Sequence, residues 1–141
     1  MIQENLRDIL SSHIKDLEWT VDYFTGNNTG TVYSTGGDGD TDNYDTRYRY
    51  PTYQVYIRSS DWDYAKTASE MVFDILHNKR DFYATVPYYK DDEILFTKEY
   101  YVFLISAMSD PIRVGELDNI MEYSVNFDVI LTEKKGEIVN G

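Results

Sequence analysis

Side chains able to do chemistry are few in this chain, and their spacing does not assemble a catalytic set. It has two histidines, His13 and His77, and no cysteine. Each histidine falls on the polar side of a segment with helical spacing, where a capping or solvent-facing imidazole is the plain reading. Without cysteine there is no thiol nucleophile, no disulfide and no zinc–thiolate cluster. Carboxylates abound: 25 Asp and Glu against 13 Lys and Arg, a net charge of −12. A two-acid hydrolase needs one pair held at a set separation, and no pair stands out. Asp38, Asp40 and Asp42 have the alternate spacing of a calcium-binding loop. Such a loop then needs Gly at its sixth position and Glu at its twelfth, where this chain has Asn43 and Arg49. The nucleophile elbow, the phosphate loop, the dinucleotide fingerprint and the His-Glu-x-x-His pair are absent. The sequence therefore implies no enzyme, no catalytic residue, no metal site and no cofactor. The acidic balance also opposes a grip on nucleic acid, which needs clustered cations. It suits a soluble surface, or a wall past which DNA slides without sticking.

The elements that would carry any site are organised around Pro51–Asn78. Thr52–Arg58 alternates, with Tyr53, Val55 and Ile57 on one side, as a strand with one dry face does. Ser60, with Asp63 three residues on, predicts the start of a helix by capping an orphan amide and complementing the dipole. On a helical wheel the apolar arc from Trp62 to Leu76 spans roughly 200°, wider than the ~100° stripe one surface needs. That excess implies a second surface to cover, either another helix or a neighbouring subunit.

Ile2, Leu6, Ile9, Leu10 and Ile14 recur at helical steps, predicting a helix over 2–14. Leu17–Phe24 alternates as a strand; Gly26–Gly30 is a turn, and Thr31–Ser34 a short returning strand. Residues 35–50 lack apolar periodicity and read as a long loop, changing sign from Asp38, Asp40 and Asp42 to Arg47 and Arg49, with Tyr44, Tyr48 and Tyr50 interleaved. Loops of this length are functional or disordered, and aromatics beside arginine suit protein docking. Asn78 closes the second helix as a residue tolerant of left-handed backbone. Phe82–Val86 is a short strand stopped by Pro87, and Tyr88–Glu93 a turn. Tyr100–Ala107 is apolar at nearly every position, the pattern of a strand covered on both faces. Ser109–Pro111 and Gly115 break the chain, and Met121–Thr132 is the cleanest alternating strand. No basic segment precedes an apolar run at the N-terminus, and no stretch is long enough to span a bilayer, so the expectation is a protein made and kept in a cytoplasm or carried in a particle assembled there. The order predicts an α+β class, with two helices packed on one face of a mostly antiparallel mixed sheet. The expected organisation is a single domain over residues 1–132 and a flexible tail over 133–141.

The ordered set of the helix Ile2–Ile14, the run Tyr33-Ser34-Thr35-Gly36-Gly37, the strand and corner Tyr53–Asp61, and the ending Asp110-Pro111, Gly115 and Tyr123–Val129 resembles the tail terminators of long-tailed bacteriophages. These are the tail-to-head joining proteins of siphoviruses, called minor capsid proteins in phages of Gram-positive hosts. The resemblance implies a structural virion protein, assembled in the bacterial host cytoplasm. It implies a ring, typically a hexamer of the chain itself, that caps the tail tube, ends its polymerisation and forms part of the neck. The implied partners are the tube protein and a head-completion or connector protein, with viral DNA passing through the lumen without specific binding and no membrane involved. The residues expected at protein interfaces are Asp38, Asp40, Tyr44, Arg47, Tyr48, Arg49, Arg58 and Trp62. The alternatives are another neck or tail component, such as a head-completion or tube protein, and an acidic adaptor that mimics DNA.

Overall fold

A computed structural model describes residues 1–36 and 48–134. The chain runs α1 (Gln3–His13), β1 (Glu18–Val21), β2 (Thr29–Ser34), β3 (Tyr48–Arg49), β4 (Thr52–Ser59), α2 (Trp62–Leu76), β5 (Arg80–Lys90), β6 (Glu93–Ala107), β7 (Ile112–Leu117) and β8 (Ile120–Glu133). Ile2 precedes α1 and has no side chain that can cap it; instead its amide donates to the buried Tyr53 hydroxyl at 3.2 Å. The α2 start is capped by Asp61, whose carboxylate accepts from the Tyr64 amide at 3.1 Å. The Ser60 amide donates instead to the Asn27 side chain at 2.8 Å. At the other end Asn78 takes the left-handed conformation, φ 66°, as its short polar side chain permits.

The strands form one eight-stranded sheet in the order β1-β2-β4-β8-β6-β5, with β3 and β7 also paired to β8. β8 is the spine. Along one side it pairs with β4, from Ser59 opposite Met121 to Thr52 opposite Asp128, and then with β3. Along the other it pairs with β7 through its first half and β6 through its second. All pairings are antiparallel except β1 with β2. Tyr53, Val55 and Ile57 on β4 and Val125, Phe127, Val129 and Leu131 on β8 are buried against the helices. α1 supplies Leu6 and Leu10, and α2 supplies Ala65, Ala68, Val72 and Leu76. Because α2 packs on β4, β8 and β6 while α1 touches β1 and β2 at one edge and β5 at the other, the sheet curls around the helices. The architecture is the α+β arrangement read from the pattern.

Several local expectations give way to tertiary context. The strand after α1 is only four residues long and runs parallel to β2, not back along it. The intervening Asp22–Asn28 segment folds over the sheet and is held by Thr29 Oγ1 on the Gly26 carbonyl and by Asn27 Nδ2 on Ser60 Oγ, at 2.8 and 2.9 Å. Pro87 does not stop β5. That strand pairs with β6 alone, so the missing N–H falls on a free edge, where proline is tolerated. The turn comes later, at Asp91-Asp92, both at positive φ (52° and 64°), the two-residue hairpin geometry that matches strand twist. Asp118-Asn119 repeats it between β7 and β8, with φ 52° and 64°. Gly115 does not end a strand either; it sits at φ 146° where the β7–β8 register shifts, a bulge. Tyr100–Ala107 is covered on one face only, with Tyr100, Val102 and Ile105 buried and Tyr101, Phe103 and Leu104 half-buried.

Candidate assembly interfaces

The face of the sheet away from the helices is open and mixed in character. β4 sends Thr52, Gln54, Tyr56 and Arg58 to it, each half-buried. Toward β5 the face becomes an aromatic row: Tyr48 lies 5.5 Å from Phe103, Phe103 4.7 Å from Tyr101, and Tyr101 5.1 Å from Tyr83, centroid to centroid. The edge-on contacts of Tyr101 with Phe103 and Tyr83, and the tilted one of Tyr48 with Phe103, fix ring positions. The Tyr101 hydroxyl donates to Asp81 at 2.8 Å, which holds its proton on and raises its pKa. The face thus presents rigid rings with polar tips, a composition suited to protein contact.

At the N-terminal end of β8 the open face dips into a cleft of about 540 Å³ between the β1–β2 crossing and the β7–β8 hairpin. Arg58 forms its floor. Its Nε donates to Glu122 Oε2 at 2.9 Å, and the Phe24 ring stands over the guanidinium at 4.1 Å. The side chain is 11% exposed, and its Nη1 is buried with no hydrogen-bond partner among the described residues. The cleft walls are apolar and open to solvent: Phe24, Val114 and Leu117 are 58%, 55% and 77% exposed. Glu116 and Asp118 stand on the rim.

The opposite end of the sheet carries a second exposed surface. β6 pairs with β8 only from Tyr100 onward, and the last tie is the Lys134 amide on the Glu99 carbonyl at 2.8 Å. Residues Glu93–Glu99 and their β5 partners therefore project as a two-stranded ribbon, roughly 20 Å long at ~3.4 Å per residue. Tyr89, Ile94, Leu95 and Phe96 on it are 61%, 57%, 62% and 49% exposed. An isolated hairpin is marginal in water, so this one is held at its base. Midway along it Tyr88 stacks on Phe96 at 4.9 Å, and the Tyr88 hydroxyl reaches toward the base to meet that of Tyr100 at 2.8 Å.

Of the residues singled out from sequence, Tyr48 joins the aromatic row and Arg49 is exposed beside it on β3. Arg58 lies in the cleft floor. Trp62 opens α2, 41% exposed, with its indole N–H donating to the Asn119 carbonyl at 3.0 Å. Trp62 and Arg58 sit at the cleft end of β8, while Tyr48 and Arg49 sit at the end from which the ribbon projects. Asp38, Asp40, Tyr44 and Arg47 lie outside the described residues. The ribbon and the cleft walls were not picked out by the sequence reading, although Ile94-Leu95-Phe96 carries a signal. Three consecutive apolar residues in a strand must put apolar surface on both faces, and only a fully covered or an adhesive strand uses that. His77, read as a polar surface residue, packs on Phe73 at 4.9 Å, and its Nδ1 accepts from the Ala107 amide at 3.0 Å. Its role is to tie the end of α2 to β6. Among the described residues, no three His, Asp or Glu side chains gather as metal ligands would. No described helix is long and apolar enough to cross a membrane.

These features define an α+β protein with exposed apolar side chains at the two ends of its sheet. A family model described as bacteriophage tail terminator protein matches residues 9–133. The match runs from within α1 to the last residue of β8, and the chain belongs to that family. It is a structural family of the phage tail, which puts this protein in the virion tail with other tail or head proteins as its partners. No curated protein matches the chain.

Proposed function

We propose that copies of this chain close into a ring, a hexamer in the reading carried by the resemblance, that sits on the last ring of the tail tube. There it ends tube polymerisation and presents its far side to the head-completion or connector protein of the neck. The family match over residues 9–133 is the observation that carries this reading. Two features support it. A ring needs heterologous contacts, and the chain exposes unlike surfaces at the two ends of its sheet. A lumen that passes DNA should not bind it, and a net charge of −12 suits such a lumen. The interface role assigned to residues 37–50, with Tyr48 and Arg49, is part of the proposal, as are Arg58 and Trp62.

The test is to add the purified protein to growing tubes of the cognate tube protein. Elongation should stop, with one added ring at one tube end by electron microscopy. Self-polymerised cylinders of this protein, or decoration along tube walls, would contradict a terminator. Limited proteolysis within 37–50 should be suppressed by tube; cleavage that tube leaves unchanged removes the docking role of that stretch.

A further inference from the structure

A protein that ends a polymer must stay apart from its own copies until the polymer end arrives. An open strand edge works against that, because its unpaired N–H and C=O groups accept a strand from another chain. Among the described residues, β1, β5 and β7 each have a strand on one side only, and β6 has one side free along residues 93–98. Three of these flanks are short or kinked. β1 is four residues long. β7 is bulged at Gly115, and the free stretch of β6 carries an extra residue, Leu95, where its register against β5 shifts. β5 is different: it runs for eleven residues, Arg80–Lys90.

One contact identifies the outward backbone groups of β5. The Thr85 carbonyl accepts from Asn5 Nδ2 of α1 at 3.3 Å, so it points away from β6. In an antiparallel ladder that direction recurs at every second residue. A new strand would therefore have to bond at Asp81, Tyr83, Thr85 and Pro87, and each is obstructed. Asp81 stands at φ 58°, outside the extended region. Tyr83 lines a groove with Asn5, Asp8 and Ile9 of α1. Thr85 has its carbonyl occupied, and Pro87 has no N–H to give. Neither Asn5 nor Pro87 suits its own element, since asparagine forms helix less well than alanine and proline is disfavoured in strands. What the two share is the outward edge of β5.

We propose that Asn5 and Pro87 close the β5 edge against strand addition and so keep copies of this chain from pairing through it before assembly. The inference rests on the terminator reading for its purpose and goes beyond it by naming the residues. With Asn5→Ala and Pro87→Val, Thr85 regains a free carbonyl and position 87 gains an N–H. Two such edges fit antiparallel about Thr85, with position 83 of each copy opposite position 87 of the other. That contact is isologous, so it stops at a dimer.

Sedimentation velocity of the parent and of Asn5→Ala/Pro87→Val over a range of concentrations, without tube protein, tests this. Both changes raise local propensity, so the variant should melt no lower than the parent. Its mass should double as concentration rises, a step the parent lacks. Its Tyr83 and Thr85 amides should then become protected from hydrogen exchange, whereas in the parent they exchange freely. Adding Thr85→Pro removes the central outward N–H, which β6 does not use, and should abolish the doubling. A double variant that does not associate, or whose association survives Thr85→Pro, overturns the proposal. So does a parent that associates with its Tyr83 and Thr85 amides protected. Tube capping is read separately: a parent with a closed edge that fails to cap tubes sinks the ring reading and leaves the closed edge standing.

Discussion

Gly30 is the position where one methyl group should be felt most. It lies on β2 opposite Trp19 of the parallel edge strand β1. A Cβ there would meet three atoms of the Trp19 ring at 2.4, 2.6 and 2.7 Å, well inside the ~3.5–4.0 Å of an ordinary carbon contact. The ring cannot swing away freely, because its indole N–H donates to the Ile14 carbonyl at 2.8 Å, just beyond the end of α1. Gly30→Ala must therefore displace the ring against its packing and, in doing so, lose that bond. Overpacking of this kind costs about 1–3 kcal/mol, and the lost hydrogen bond adds about 1 kcal/mol. At roughly 3 °C per kcal/mol for a chain of this size, the Tm should fall by about 6–12 °C by circular dichroism. Trp19→Leu in the Gly30→Ala background should recover part of the loss, since the clash is with the ring; the double-mutant cycle reads this directly. A Tm for Gly30→Ala within about 1 °C of the parent, or no coupling to Trp19, would refute the packing on which the argument rests.

Three further outcomes follow from the geometry. Burial raises the Tyr53 hydroxyl to about 12 from its ordinary value near 10, so the unfolded chain ionises first as pH rises. Stability from this group is whole below about pH 10 and is lost between about pH 10 and 12, about 2–3 kcal/mol in all. Urea unfolding should show that fall in the parent and a shallower one in Tyr53→Phe. Glu122→Gln removes the charge paired with the nearly buried Arg58. It should cost about 1–2 kcal/mol, with little dependence on salt, measured by chemical denaturation. Asp61→Ala removes the α2 cap and should cost about 1 kcal/mol, whereas Ser60→Ala should cost less, because the Ser60 contact to Asn27 runs through its backbone amide as well as its hydroxyl.

Where local pattern and global fold agree, the chain was legible in advance. The alternation of Tyr53, Val55 and Ile57 and of Tyr123 through Leu131 marked the dry face of the two central strands, because a two-residue period leaves one side for the core. The spacing of Leu6 and Leu10 marked α1 in the same way. The misreadings arose where pairing partners decide. Pro87 looks like a stop until it is known to sit on an edge with no donor required. The parallel pairing of β1 with β2 depends on Asn27 and Thr29 folding the connection over the sheet, which no period encodes. The wide apolar arc of α2 is met largely inside the chain, with Tyr64, Met71, Phe73 and Ile75 packed at the margin of the core. Trp62 remains its exposed end. The exposed apolar surfaces were hidden because exposure is a property of the end of β8. Nothing in Ile94-Leu95-Phe96 says that the neighbouring strand has already stopped.

The central claim is that this protein ends the tail tube by fitting against it. Electron microscopy of lysates from a phage deleted for this gene measures that most directly. Abnormally long tubes lying apart from DNA-filled, tailless heads, both corrected by supplying the protein in trans, are the expected result. Tails of normal length joined to heads in the deletion mutant would contradict it.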